Sequence, residues 1–462
     1  NPLTGWVLYA SMGVDAADFW AQYDHMYIPE LGHNVSVTDY AHTLYIRASW
    51  TDFNPQEDVY GWKIDSNLRA YIEGAYQRNM RLAFRVVVDS RDKRTEFTPQ
   101  FVKDAGAKGF MNKGKWSPYS DDSVFQKYYT KFVKALAKDF NDPSKVEFID
   151  GFGLGKWGEY HTMIYSTGDD TPKKAVFDWV TDIYSQAFDK VPVVINYHRW
   201  IGAGKDWVDD EHFAADSEEM LEEAIKKGYS LRHDAFGMTT YYGSWERRFA
   251  KKYRNICPII MEGGWIVKSH SYWQDPRGYR KDSHEDVRRG EFDDSKEAHV
   301  NMMDFRFGDT ESWFKDAFDL VRRFLREGGY RLYPSEISLP LEVSKKTTPT
   351  IKHCWNNLGW GYCPTNIPQW NQKYKVAFAL MDSRNRVQKV FVDKQTDLSK
   401  WMQGIPAVYT FDLRLKGVTP GSYYWAVGLV DTTKDNAIGL EMAVPENMLN
   451  AGWAKLQEVT VR

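Results

Sequence analysis

Eight short apolar runs, each followed by a stretch with helical spacing, limit this chain more than any other feature. The runs are Gly5–Ala10, Thr43–Ala48, Leu82–Val88, Glu147–Phe152, Val191–Asn196, Leu231–Gly237, Cys257–Met261 and Val300–Phe305. Between them, Asp65 is placed to cap a helix carrying Leu68, Tyr71, Ile72, Ala75 and Tyr76 on one face. Phe125, Tyr128, Tyr129, Phe132 and Leu136 mark another. Thr171-Pro172 supplies a cap and first-turn proline for a third, and Ser217 is expected to cap a fourth. A last helix is expected from about Glu311 to Glu327. Strands alternating with amphipathic helices predict a parallel sheet with helical crossovers. Eight units in roughly 330 residues predict a closed (β/α)8 TIM barrel. The alternative is a doubly wound open sheet, which the absence of a glycine-rich phosphate loop after the first run disfavours.

The pattern changes after Tyr333-Pro334. Tyr374, Val376, Phe378 and Leu380 alternate with smaller or polar residues, as do Tyr409, Phe411, Leu413 and Leu415; Ser422–Val430 follows a Pro420-Gly421 turn. Period two predicts antiparallel strands. The expected organisation is a catalytic barrel over 1–334 and an immunoglobulin-like β-sandwich over 335–462.

A net charge of −3 excludes a polyanion-binding surface as the main theme and leaves room only for a local basic patch, so nucleic acid is not an expected partner. No apolar run approaches the ~20 residues of a membrane span. The chain begins with Asn and shows no signal peptide; a secreted, periplasmic or cell-surface placement, lipid-anchored or free, is expected nonetheless. Of three cysteines, Cys354 and Cys363 flank a turn and are the only pair expected to be able to bond; a core of this size does not need it. No cofactor and no metal is expected. Monomer and homo-oligomer stay open. Aromatic residues make up 16%, which suits either a large core or a cleft that stacks sugar rings.

In a barrel, chemistry sits at strand C-termini and in the loops beyond them. Two carboxylates stand out there. Glu159 lies in Gly155-Lys156-Trp157-Gly158-Glu159-Tyr160-His161, after the fourth run, and Glu262 lies in Met261-Glu262-Gly263-Gly264-Trp265, ending the seventh. Two acids facing each other are what hydrolysis of a glycosidic bond requires: one protonates the leaving oxygen, the other attacks the anomeric carbon. Glu262 is the expected nucleophile, kept ionised by Arg85 and Arg232. Glu159, beside Trp157 and Tyr160, is the expected acid, its pKa raised by apolar surroundings. Either glutamate, taken singly, also fits a plain ion pair with an arginine. Expected substrate contacts are Trp50, Arg85, Trp157, His161, Asn196, His198, Arg232, Tyr241, Trp265 and Trp313. Trp200 is a further candidate platform, and the polar segment from Trp265 to Asp294 a candidate lid.

Arg47-Ala48-Ser49-Trp50 followed by Asn54-Pro55-Gln56-Glu57-Asp58-Val59-Tyr60-Gly61-Trp62 resembles the stretch after strand two of clan A glycoside hydrolases, family 42 β-galactosidases among them. Gly155–His161, Gly329-Tyr330-Arg331 and Trp355-Asn356-Asn357-Leu358-Gly359 look like a bacterial group of glycosidases with a barrel and a C-terminal β-sandwich. The resemblance implies a retaining mechanism, with the acid/base after strand four and the nucleophile after strand seven, which carries over to Glu159 and Glu262. One departure is Gly158, where the clan usually has the Asn that touches the substrate 2-hydroxyl.

The expected function is therefore a retaining glycoside hydrolase acting on a β-linked polysaccharide or oligosaccharide, of β-glucan or β-galactan type. The alternatives are a non-catalytic carbohydrate-binding protein on the same scaffold and a metal-dependent hydrolase. The latter is disfavoured because Gly5–Ala10 contains no His-x-His pair.

Overall fold

The computed structural model describes residues 1–91, 95–236, 241–264, 284–306, 310–344 and 346–462. Eight parallel strands close into a barrel: β1 (Gly5–Tyr9), β2 (Ala41–Ser49), β3 (Arg81–Val87), β4 (Val146–Asp150), β5 (Val193–Asn196), β6 (Tyr229–Phe236), β7 (Ile259–Gly263) and β8 (Met302–Asp304). Each of the eight apolar runs supplies one strand. β1 pairs with both β2 and β8, which closes the ring and excludes the open sheet.

Helices cover the outside. Asp65 accepts from the Leu68 amide and caps Ser66–Gln77, and Asp122 caps Ser123–Phe140 through the Phe125 amide. Three helix ends differ from expectation. Ser217 caps nothing: Asp210 caps the helix Glu211–Lys226, and the Ser217 hydroxyl, buried on its inner face, accepts from the Ile201 amide. Pro172, not Thr171, is the cap residue of Lys173–Ala187, and it contributes no side-chain cap bond. The last barrel helix is two, Thr310–Asp316 and Phe318–Glu327, interrupted at Ala317.

The chain divides into two compact units, Gly5–Leu325 and Arg326–Arg462, the latter joined by Asn1–Thr4. The division falls earlier than 334 because Leu332 already pairs with Asn357 in a sandwich strand. One sheet holds Leu332–Ser338, Thr350–Asn357 and Ala407–Asp412; the other is built on Gly421–Asp431, Tyr374–Met381 and Trp453–Val461. Phe378 of the second sheet meets His353 (5.2 Å) and Phe411 (6.2 Å) of the first, so the two pack face to face as a β-sandwich. The strand expected through Leu415 stops at Asp412, although Leu413 and Leu415 remain buried. Cys257, Cys354 and Cys363 are all free thiols. Among the described residues, no helix is long and apolar enough to cross a membrane.

Candidate active site

Charged side chains from most of the strands meet inside the C-terminal end of the barrel. In register, Arg47 on β2 stands beside Arg85 on β3, and Arg85 beside Asp150 on β4. Arg232 on β6 stands beside Asn196 on β5. Parallel partners point to the same side, so these residues share the interior.

Arg85 lies at the centre. Its Nε donates to Asp150 (2.6 Å), one terminal nitrogen donates to Glu159 Oε1, and the other lies 3.5 Å from Glu262 Oε2. Glu159 and Glu262 are thus bridged by one guanidinium. Arg232 donates to Glu262 (2.9 Å) and to Asp304 (2.7 Å), with its own plane 4.3 Å over the Tyr45 ring. Arg306, just after β8, donates to Asp234 (2.7 Å) and approaches Glu262 Oε1 at 3.5 Å.

These contacts set the charges. Burial alone would raise the Glu262 carboxyl, but Arg232, Arg85, Arg306 and Arg47 together hold it at about 2. Asp304 goes the other way: burial pushes it up to about 6 against the pull of Arg232. Burial likewise raises Asp234 to about 7 against Arg306, with Glu159 and Glu262 adding to the rise.

Glu159 sits in a tightly wound loop. Gly155, Trp157, Gly158 and Tyr160 all have positive φ, and the Glu159 amide donates to the Lys156 carbonyl (3.2 Å). Gly158 has φ +77°, and a Cβ there would stand 3.3 Å from the Val86 carbonyl oxygen, which favours glycine at this turn. The surroundings of Glu159 are not the apolar ones expected. Arg85 holds one oxygen, His161 stands 3.9 Å from the other, and that second oxygen, Oε2, has no hydrogen-bond partner.

His161 and His198 stack face to face at 3.7 Å. His198 Nε2 bonds the Glu159 carbonyl oxygen (2.8 Å), and burial with the His161 ring beside it keeps His198 far below the ordinary imidazole pKa. His161 Nε2 bonds the Tyr241 hydroxyl (2.5 Å), and its Nδ1 lies 2.9 Å from Asp206. Asp206 is pushed up by burial but drawn lower overall by His161 and Thr162. The exposed Trp207 ring lies parallel to His161 at 6.2 Å.

The expected site residues therefore divide. Glu159, Glu262, Arg85, Arg232, His161, His198 and Tyr241 are joined by these contacts, and Asn196 stands in register beside Arg232. Trp157 is half-buried beside His161 (5.5 Å), with Lys156 over its ring at 4.5 Å. Trp50 does not face the mouth. Ser49 and Asp52 form a capping box that starts the helix Trp50–Phe53 directly after β2, turning Trp50 into the helix layer against Tyr129 (5.2 Å) and Phe132 (5.8 Å). Trp313, on Thr310–Asp316, is buried edge-on against Trp6 (4.9 Å), and Trp200 is buried beside Tyr241. Neither offers a ring face to solvent. Arg85 and Arg232 are fully buried; Arg85 spends its guanidinium on Asp150, Glu159 and Glu262, and Arg232 spends one terminal nitrogen on Glu262 and Asp304. Trp265 and most of the segment to Asp294 lie outside the described residues.

Asp150, Asp206, Asp234 and Arg306 belong to the network but were not among the expected contacts. Asp234 lies two residues before the end of β6 and Arg306 two after β8, positions that strand counting alone marks as rim. Asp206 carries no such signal. Among the described residues, no group of three or more His, Cys, Asp or Glu side chains is arranged to hold a metal ion. Glu159 and Glu262 are 2% and 1% exposed, so the pair is enclosed.

No family model matches this chain, and no curated protein matches it. Several solved structures are similar. The endo-beta-1,4-mannanase from Thermotoga petrophila has 14% identity and a TM-score of 0.42, covering 100% of this chain and 97% of that one. Endo-glycoceramidase II from Rhodococcus sp. has 12% identity and a TM-score of 0.41, covering 88% and 96%. A GH30 endoxylanase from Clostridium papyrosolvens C71 has 9% identity and a TM-score of 0.41, covering 90% and 94%. Likeness this low leaves the chemistry to this chain's own residues.

Proposed function

We propose that this protein is a retaining glycoside hydrolase acting on a β-linked polysaccharide or oligosaccharide outside the cytoplasm. One observation carries the reading: carboxylates from the loop after β4 and from β7 are bridged by Arg85 in the barrel mouth, and their environments differ. A nucleophile must be anionic, and four arginines keep Glu262 so. A general acid needs an oxygen free to carry a proton, and Glu159 Oε2 has no other partner. Glu262 attacks the anomeric carbon while Glu159 gives its proton to the departing oxygen, leaving a glycosyl ester. Glu159, now ionised, takes a proton from water; the hydroxide oxygen displaces Glu262 and frees the sugar. His198 fixes the Glu159 backbone. Half-buried Trp157 and exposed Trp207 are the ring platforms within reach of His161.

The enclosure of both acids favours one other reading, in which the same ion pairs only brace the mouth of a non-catalytic sugar-binding barrel. Catalysis requires the mouth to open for a sugar ring; bracing does not. The test is hydrolysis of β-glucan, β-galactan, β-mannan and xylan by wild type and Glu262→Gln, with folding followed by circular dichroism. The enzyme reading expects one polymer to be cleaved, products of retained configuration, and a loss of at least about 10³-fold in the variant. A folded variant with wild-type activity, or a wild type inert on every polymer, refutes it.

A further inference from the structure

Asn196 is the last residue of β5, and both polar atoms of its amide, Oδ1 and Nδ2, lack hydrogen-bond partners although the residue is only 2% exposed. A buried amide left unmatched at both ends is costly, and native structures seldom keep one without a use. Its direction is fixed by the sheet. Asn196 is the register partner of Arg232, whose guanidinium reaches Glu262 at 2.9 Å inside the barrel. Val194 is the partner of Asp150, so Asn196 stands one inward position nearer the mouth than Asp150. Two residues on, His198 holds the backbone of Glu159. The amide therefore looks into the space that Glu262 and Glu159 border. On the two neighbours that the register and the Glu159 backbone bring to it, Arg232 Nη1 and Glu159 Oε2 also lack hydrogen-bond partners.

We infer that Asn196 reads one hydroxyl of the sugar ring held between Glu159 and Glu262. A sugar hydroxyl both donates and accepts, and a carboxamide offers one group of each kind. Neither a carboxylate nor an ammonium group matches both edges, so the group it reads is a neutral, unsubstituted hydroxyl. The inference rests on the glycosidase reading, and its test separates the two.

The test uses the aryl β-glycoside that the wild type cleaves, together with its monodeoxy analogues, on wild type and Asn196→Ala. The expected loss is about 10²-fold in kcat/KM on the full sugar, mostly in kcat. On one monodeoxy analogue, the wild type should lose the same factor and Asn196→Ala should lose nothing more, because the two changes remove one interaction. A loss below threefold, or an equal loss on every analogue, overturns the inference. Asn196→Ser serves if the alanine variant fails to fold. If the wild type cleaves no glycoside, the glycosidase reading falls and Asn196 is judged by NMR binding of methyl β-glucoside, β-galactoside, β-mannoside and β-xyloside. Binding weakened tenfold or more in the variant supports it, and equal binding or none overturns it.

Discussion

Arg85→Met tests the charge arrangement at its centre. Methionine keeps most of the volume and removes the charge. In the folded protein Arg85 is 0% exposed and serves Asp150, Glu159 and Glu262 at once. Removing one partner of a buried ion pair costs about 3–5 kcal/mol, because the remaining charges stay desolvated and unpaired. For Glu262 alone, the fall from an ordinary 4.5 to about 2 is worth about 3 kcal/mol, shared among four arginines. With about 2 cal/mol/K per residue, a barrel of about 320 residues has an unfolding entropy near 0.7 kcal/mol/K, so Tm should drop by about 4–7 °C at pH 7. The sign with pH follows from the lowered Glu262. Its contribution is present above 4.5 and is lost as pH falls through about 2. The gap between wild type and variant should therefore be full at pH 6–8 and close below about 4.5. Scanning calorimetry across that range measures it. A gap under 2 °C at pH 7, or one that widens on acidification, would refute the claim that Arg85 neutralises a desolvated cluster.

Two further outcomes are expected. Burial makes Asp234 and Asp304 keep protons in the fold that the unfolded chain has already released, so each removes stability as pH rises from 3.8 to its folded value, about 7 and about 6, and nothing further above that. Asp234→Asn should therefore gain Tm relative to wild type as pH rises from about 4 to 7 and hold that difference above 7; a difference that does not change with pH would count against Asp234. Trp50→Ala should cost about 3–5 kcal/mol of stability by opening a core cavity, with KM unaltered in the folded fraction. Weakened substrate binding at undiminished stability would put Trp50 back at the mouth.

How much of the site was legible differs residue by residue. Glu262 could be found because counting strands fixes which residues end the seventh; Glu159, nine residues past the end of β4, was marked by the loop that the same count puts after the fourth. Trp50 and Trp313 also follow strands, and counting placed them at the mouth as well. The difference was local: the Ser49–Asp52 capping box starts a helix at once and rotates Trp50 outward. Ser217 looked like a cap because a helix followed, but Asp210 had begun that helix earlier, and only the packing at Ile201 explains the serine.

Periodicity along the chain is enough to determine a parallel barrel and an antiparallel module, because apolar spacing is a local property that each element carries alone. Which carboxylate stays ionised is not local. Glu262 is held down by arginines from β2, β3, β6 and the turn after β8, side chains separated by scores of residues that converge only when the ring of strands closes. Partnering and exposure, and with them the idle amide of Asn196, are decided by that closure.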